Sequence, residues 1–340
     1  MARWSASVLL ALALMVPARL AADGLPTRDP VLVPLEAERY VDAMRSGGPS
    51  KDGIPSIDDP ALWSAAEAAA FLDAGDRVIG VYRNGEARAY PQRVLVWHEI
   101  VNDEIGGEPV SITYCPLTGT ALGFRRGDTE LGVSGRLINS NLVMYDRETD
   151  SFWPQMLAAA INGPRRGAGL QEFRVVWTTW EQWRARYPET RVLSTDTGYM
   201  RNYRRDPYGS YNPPSGYYEP DSGPLFPLQN EDDRYPDKRE IFGFRTQAGA
   251  VAVDGEHLAE TGGVVIEHGG RYYLILHDAG LGTAWVFRGD EAMDVPEGVT
   301  YGRDGPRHEA LDALESVNGF EAMWFAWAAF YSDTRVVDGS

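Results

Sequence analysis

Residues 77–90 read RVIGVYRNGEARAY, and this stretch decides the fold class. Arg77 to Tyr82 and Ala87 to Tyr90 are short β-prone runs. Asn84-Gly85 between them is a strong hairpin signal, because both positions tolerate positive φ. Downstream, Gln92 to Asn102 predicts a helix, with Val94, Trp97, His98, Val101 and Ile105 on one stripe. Gly106-Gly107 then turns the chain into a strand over Pro109 to Tyr114, and Thr120 to Arg126 and Thr129 to Ser134 read as further strands. Upstream, Pro60-Ala61-Leu62-Trp63-Ser64 leads into a short helix to Leu72, with Ser64 as its N-cap. Trp177 to Arg186 predicts another amphipathic helix. Short strands, hairpin turns and few long helical runs make this an α+β protein with mixed or antiparallel sheets and short helices.

The same stretch recurs. At a constant offset of 163 residues, positions 76–125 match 239–288 without a gap. Gly80 pairs with Gly243, Ala87 with Ala250, Ala89 with Ala252, and Gly119-Thr120-Ala121 with Gly282-Thr283-Ala284. Such a match points to internal duplication of a β-rich unit of about 50 residues. It divides the chain into a signal peptide (1–22), an irregular lead-in (23–60), a first α+β half (61–235) and a second, related half (236–335). Shared glycines and alanines read as scaffold, since they set turns and close packing. The copies differ at His98 against Thr261, Tyr114 against His277 and Cys115 against Asp278. Chemistry is therefore expected in the first half, and the second lacks the Cys/His pair.

Composition narrows the function classes. With 49 acidic residues against 32 Lys and Arg, the net charge is −17. That excludes a nucleic-acid binder working through a basic surface, and docking on anionic lipid headgroups. Arg3, the apolar run Val8 to Val16, Pro17 and the small residues Ala21 and Ala22 have the layout of a secretory signal cleaved near Ala22. The expected product is periplasmic or secreted, without stable membrane insertion after cleavage. The lone cysteine, Cys115, excludes an internal disulfide and any multi-cysteine metal site.

Cys115 ends the run Val110 to Tyr114 and precedes Pro116, so its thiol is expected at a strand end, facing a turn. With a period of two it shares a face with Ser111 and Thr113. Backbone N–H groups of Leu117 to Thr120 offer donors near the sulfur that favour a thiolate or bind an anion, and the alternative is a buried cysteine acting as a small apolar residue. His98 lies on the inward stripe, seventeen residues earlier, whereas Glu99 and Asp103 read as a hydrated outer face. A Cys–His pair serves either nucleophilic catalysis or a soft metal such as copper(I). In the first case Asn139, Asn141 and Arg147 position a polar substrate, and Tyr114, Ser134, Tyr145, Trp153 and Gln155 line its site. In the second, Met144 joins Cys115 and His98 around copper. A third reading is a non-catalytic sugar- or peptide-binding module built on the tyrosines between Tyr199 and Tyr235. The partner in the enzymatic reading is a small molecule or an envelope component.

These motifs carry a resemblance. Ile79-Gly80-Val81 with Gly85 to Pro91, Trp97 to Asp103, Thr113 to Leu117, Gly132 to Gly135 and Asn139 to Arg147 resemble the domain of unknown function 3179. So do Thr178-Thr179-Trp180, Asp206-Pro207-Tyr208, and Trp327 to Phe330 with Asp333-Thr334. The resemblance covers most of residues 55–335 and implies an exported bacterial or archaeal protein, with no established activity. Many members read Cys-Pro-Leu-Cys where this chain has Cys115-Pro116-Leu117-Thr118. A dithiol or two-thiolate chemistry is thereby weakened, and a chemistry needing only Cys115 survives.

Overall fold

A computed structural model describes residues 24–32 and 36–339. The expected signal peptide lies outside these residues. Strands dominate, at 41% against 12% helix, and form several mixed and antiparallel sheets, as the α+β reading requires. The lead-in is more ordered than expected. It holds helix α1 (Ala37–Ala43), and its two-residue strands Thr27–Arg28 and Arg45–Ser46 pair with Gly169–Leu170 and with Leu137 and Arg136. Helix α2 (Ala65–Ala68) starts at Ser64 in a capping box: Ser64 Oγ accepts from Glu67 N–H, and the Glu67 carboxylate accepts from Ser64 N–H.

Strands β1 (Arg77–Arg83) and β2 (Glu86–Pro91) form the expected hairpin, with Ile79 opposite Tyr90. Asn84 (φ 49°) and Gly85 (φ 84°) supply its two left-handed turn positions. The helix expected over Gln92 to Asn102 is cut short. Helix α3 spans only Gln92–Leu95, Glu99 adopts φ 59°, and strand β3 (Ile100–Ile105) begins immediately after it. The β-branched Ile100 and Val101 instead pair with Thr113 and Ile112 of β4 (Glu108–Cys115). Strand β5 (Thr120–Arg125) completes this meander, and β6 (Leu131–Ile138) and β7 (Asn141–Asp146) form a second hairpin. Strand β8 (Val176–Thr179) pairs with β1 and runs into helix α4 (Trp180–Arg186). Strand β9 (Arg191–Leu193) then lies parallel to β2.

The arrangement recurs between Glu240 and Val337. Strands β10 (Glu240–Thr246) and β11 (Gly249–Asp254) form a hairpin with Phe242 opposite Val253, and helix α5 (Gly255–Thr261) follows. A meander of β12 (Gly263–His268), β13 (Arg271–Asp278) and β14 (Thr283–Gly289) comes next. Strand β15 (Gly319–Met323), helix α6 (Trp324–Phe330) and the parallel strand β16 (Arg335–Val337) close the set.

The packing matches as well. A Cβ on Gly80 would stand 2.2 Å from the Trp183 ring, and one on Gly243 would stand 2.3 Å from the Trp327 ring. Each indole donates to a threonine seven residues on: Trp183 to Thr190 at 3.0 Å, and Trp327 to Thr334 at 2.9 Å. Only glycine lets the helix tryptophan lie flat on the sheet at these two positions. One continuous core cluster joins Cys115, Leu122 and Val143 to Ile241, Ala252 and Phe320, so both sets bury a common face.

Candidate functional site

Cys115 is the last residue of β4, and Thr118 N–H donates to its carbonyl at 3.3 Å to close the turn. Alternation along the strand sends Val110, Ile112 and Tyr114 into one core cluster and Cys115 into another. The thiol is 1% exposed and points at the Ser140 carbonyl, 3.6 Å away on the β6–β7 turn. Burial, and then the charge of Glu99, push it up to about 11. Hydrogen bonds from the Thr118 side chain and from the Leu142 and Thr118 backbone act in the opposite direction. The sulfur therefore sits protonated at neutral pH, its hydrogen directed to the Ser140 carbonyl.

Glu99 and Asp103 are not a hydrated face. Glu99 is 6% exposed and Asp103 7%. The positive φ at Glu99 ends the helical turn and swings its side chain inward, where the helical stripe had put it outward. Asp103 accepts from the Tyr90 hydroxyl at 2.6 Å. The Glu99 carboxyl has no hydrogen-bond partner among the described residues, and burial alone pushes it up to about 8. Its charge is felt at the Cys115 thiol and at the Tyr208 phenol, which burial and these two neighbours push up to about 12. The backbone brings Glu99 to the strand end that carries the thiol, with Tyr114 N–H donating to the Glu99 carbonyl at 2.7 Å.

His98 is turned elsewhere. It is fully buried; its Nδ1 lies 2.8 Å from the Pro55 carbonyl and its Nε2 2.7 Å from the Tyr203 hydroxyl. Because a carbonyl only accepts, Nδ1 carries the proton and Nε2 accepts from Tyr203, which is the neutral tautomer. Burial lowers its pKa in the same direction. Both nitrogens are engaged, so the ring makes no hydrogen bond to Cys115. This removes His98 as the partner of the thiol and leaves no free nitrogen for copper. Met144 is fully buried between Val133 and Trp153 in the strand pairing. Among the described residues no group of three or more His, Cys, Asp or Glu is placed to hold a metal ion.

The proposed substrate-positioning groups are saturated internally. Asn141 Nδ2 donates to the Gln155 side chain at 2.9 Å and to Thr118 Oγ1 at 3.0 Å. Gln155 in turn donates to Thr113 Oγ1 at 2.9 Å. Asn139 Nδ2 donates to the Ala329 carbonyl at 3.2 Å, and the indole of Trp153 donates to Asp146 at 2.9 Å. Arg147 bonds Asp58 at 2.8 Å and pairs with Glu130, in an ionic cluster with Ser56. Tyr145 donates to Asp52 at 2.6 Å, and Ser134 to the Val143 carbonyl. Tyr114 is fully buried, held by Gln92 and Tyr211. Asn139, Asn141, Tyr114, Trp153 and Gln155 are thus buried in the fold, whereas Arg147 stays partly exposed in its ion cluster.

The tyrosine-rich segment is the cover of this region. Tyr217 donates to the Leu117 carbonyl at 2.7 Å, beside Cys115, and Tyr211 stacks on Tyr218 with centroids 4.0 Å apart. Lys238, 7% exposed, places its Nζ 3.1 Å from the centre of the Tyr217 ring. It has no hydrogen-bond partner among the described residues, and burial lowers it to about 7. Sequence reasoning missed Glu99, Tyr208 and Lys238. The available signal was the placing of Glu99 beside His98 and of Tyr208 after Asp206-Pro207, inside runs already singled out.

The family model described as a protein of unknown function, DUF3179, matches residues 51–334, and the chain belongs to that family. No curated protein and no solved structure matches it.

Proposed function

Starting from membership of a family without an assigned activity, we propose that this chain is a cysteine-nucleophile hydrolase or transferase acting on a polar small molecule or envelope component. Its proton acceptor is Glu99 rather than His98. The observation that carries this reading is the buried, unpartnered Glu99 carboxyl beside the only thiol. Above about pH 8 the Glu99 carboxyl is ionised and accepts the thiol proton as sulfur bonds to an electrophilic carbon. The same proton then goes to the leaving group as its bond to that carbon breaks, and water or an acceptor hydroxyl or amine takes the carbon from sulfur and restores the thiol. The donors of Thr118 and Leu142 favour the sulfur anion while it exists. With residues 1–22 removed as a signal, the enzyme works in the periplasm or outside the cell. The matched ladders support duplication as the origin of the two halves, with chemistry kept in the first.

Iodoacetamide alkylation of the native chain tests this. The rate at Cys115 is expected to rise through an inflection near pH 8 that disappears in Glu99→Gln. Alkylation no faster than global unfolding, or an identical profile in the variant, would overturn the reading. A binding module is the second reading, favoured by one observation. Segment 199–237 contributes to three separate clefts, which include Tyr203, Tyr211 and Tyr235 respectively.

A further inference from the structure

Independently of the thiol, the geometry points to a binding site for a ring-bearing organic anion in the cleft between helix α2 and residues 195–204. The cleft, of about 440 Å³, is walled by Trp63, Phe71 and Tyr203, with Arg201 and Arg204 at its edge. Trp63 and Phe71 meet edge to face with centroids 5.6 Å apart, and the Arg204 guanidinium lies over the Phe71 ring at 5.8 Å. Tyr203 is fixed by its bonds to His98 and Thr197, so that wall is pre-organised.

The charge pattern selects the ligand. This chain has an excess of carboxylates, yet Arg201 and Arg204 form no ion pair among the described residues. Arg201 donates only to the Met200 carbonyl beside it. The sole carboxylate of the lining, Glu67, is turned to the start of α2, where it caps Ser64. Aromatic faces beside unpaired guanidinium groups fit a flat or cyclic body bearing a carboxylate or phosphate. Acidic sugars and sugar phosphates share that chemistry.

Calorimetric titration of the whole chain with glucuronate, glucose 6-phosphate, glucose and inorganic phosphate tests the assignment. At least one of the two ring anions is expected to bind about tenfold more tightly than glucose and than inorganic phosphate. Raised salt is expected to weaken that binding. The stronger of the two identifies carboxylate or phosphate as the anchor. In Arg201→Gln/Arg204→Gln the affinity is expected to fall about tenfold with an unchanged melting temperature. Phe71→Leu, which keeps the site apolar, is expected to weaken the ring anions and spare inorganic phosphate. Absence of heat for both ring anions at millimolar concentration, equal affinity for glucose, or unchanged affinity in the double arginine variant would overturn the inference.

Discussion

The turns after β4 and after β13 have the same backbone and opposite contents. Thr118 N–H closes on the Cys115 carbonyl at 3.3 Å, and Leu281 N–H on the Asp278 carbonyl at 3.1 Å. The glycines that follow have φ 62° and 63°. In the second turn the charge is fully answered. The buried Asp278 carboxylate takes Arg186 in a fork at 2.9 and 3.2 Å, Leu281 N–H at 3.2 Å and the Trp285 indole at 3.4 Å. In the first, a neutral thiol takes its place and the neighbouring Glu99 goes unanswered. One turn spends the position on locking the fold, and the other leaves it chemically open.

The largest expected effect is on the open side. Folded Glu99 keeps its proton to about pH 8, while an unfolded one releases it near 4.5. Stability is therefore fully present below about pH 4.5 and is lost as pH rises through 8, by on the order of 5 kcal/mol. Urea unfolding of wild type and Glu99→Gln across this range should diverge by that amount. Parallel curves would remove the asymmetry between the turns.

Next comes the locked side. Asp278→Asn strands Arg186 and is expected to cost about 3–4 kcal/mol, whereas Cys115→Ala is expected to cost about 1 kcal/mol. Equal losses in denaturant titrations would mean that the thiol is as structural as the ion pair. The smallest effect probes what the two regions share. Gly80→Ala and Gly243→Ala each press a methyl into a tryptophan ring and are expected to cost about 2 kcal/mol apiece. A cost at one position only would break the equivalence of the two packings.

The hairpins and the caps were legible because their causes are local. Asn84-Gly85 needs no tertiary partner to turn, and Ser64 with Glu67 closes its own capping box. The segment 92–105 was not legible. Its apolar spacing fits a helix, but a single left-handed residue at Glu99 and pairing with a strand yet to come divide it into helix, turn and strand. The site failed for the same reason. His98 finds its partners 43 and 105 residues away, and no spacing within its own segment encodes them. What sequence did disclose was the placing of Cys115 at a strand end, before a turn.

The parallel placement of β16 has a consequence for biosynthesis. Strand β11 receives its outer neighbour only from Arg335–Val337, so during translation its edge stays unpaired until about eighty further residues have been made. A nascent chain stalled before that point would present a bare Val251-Ala252-Val253 rim, a template for pairing with another unfinished copy.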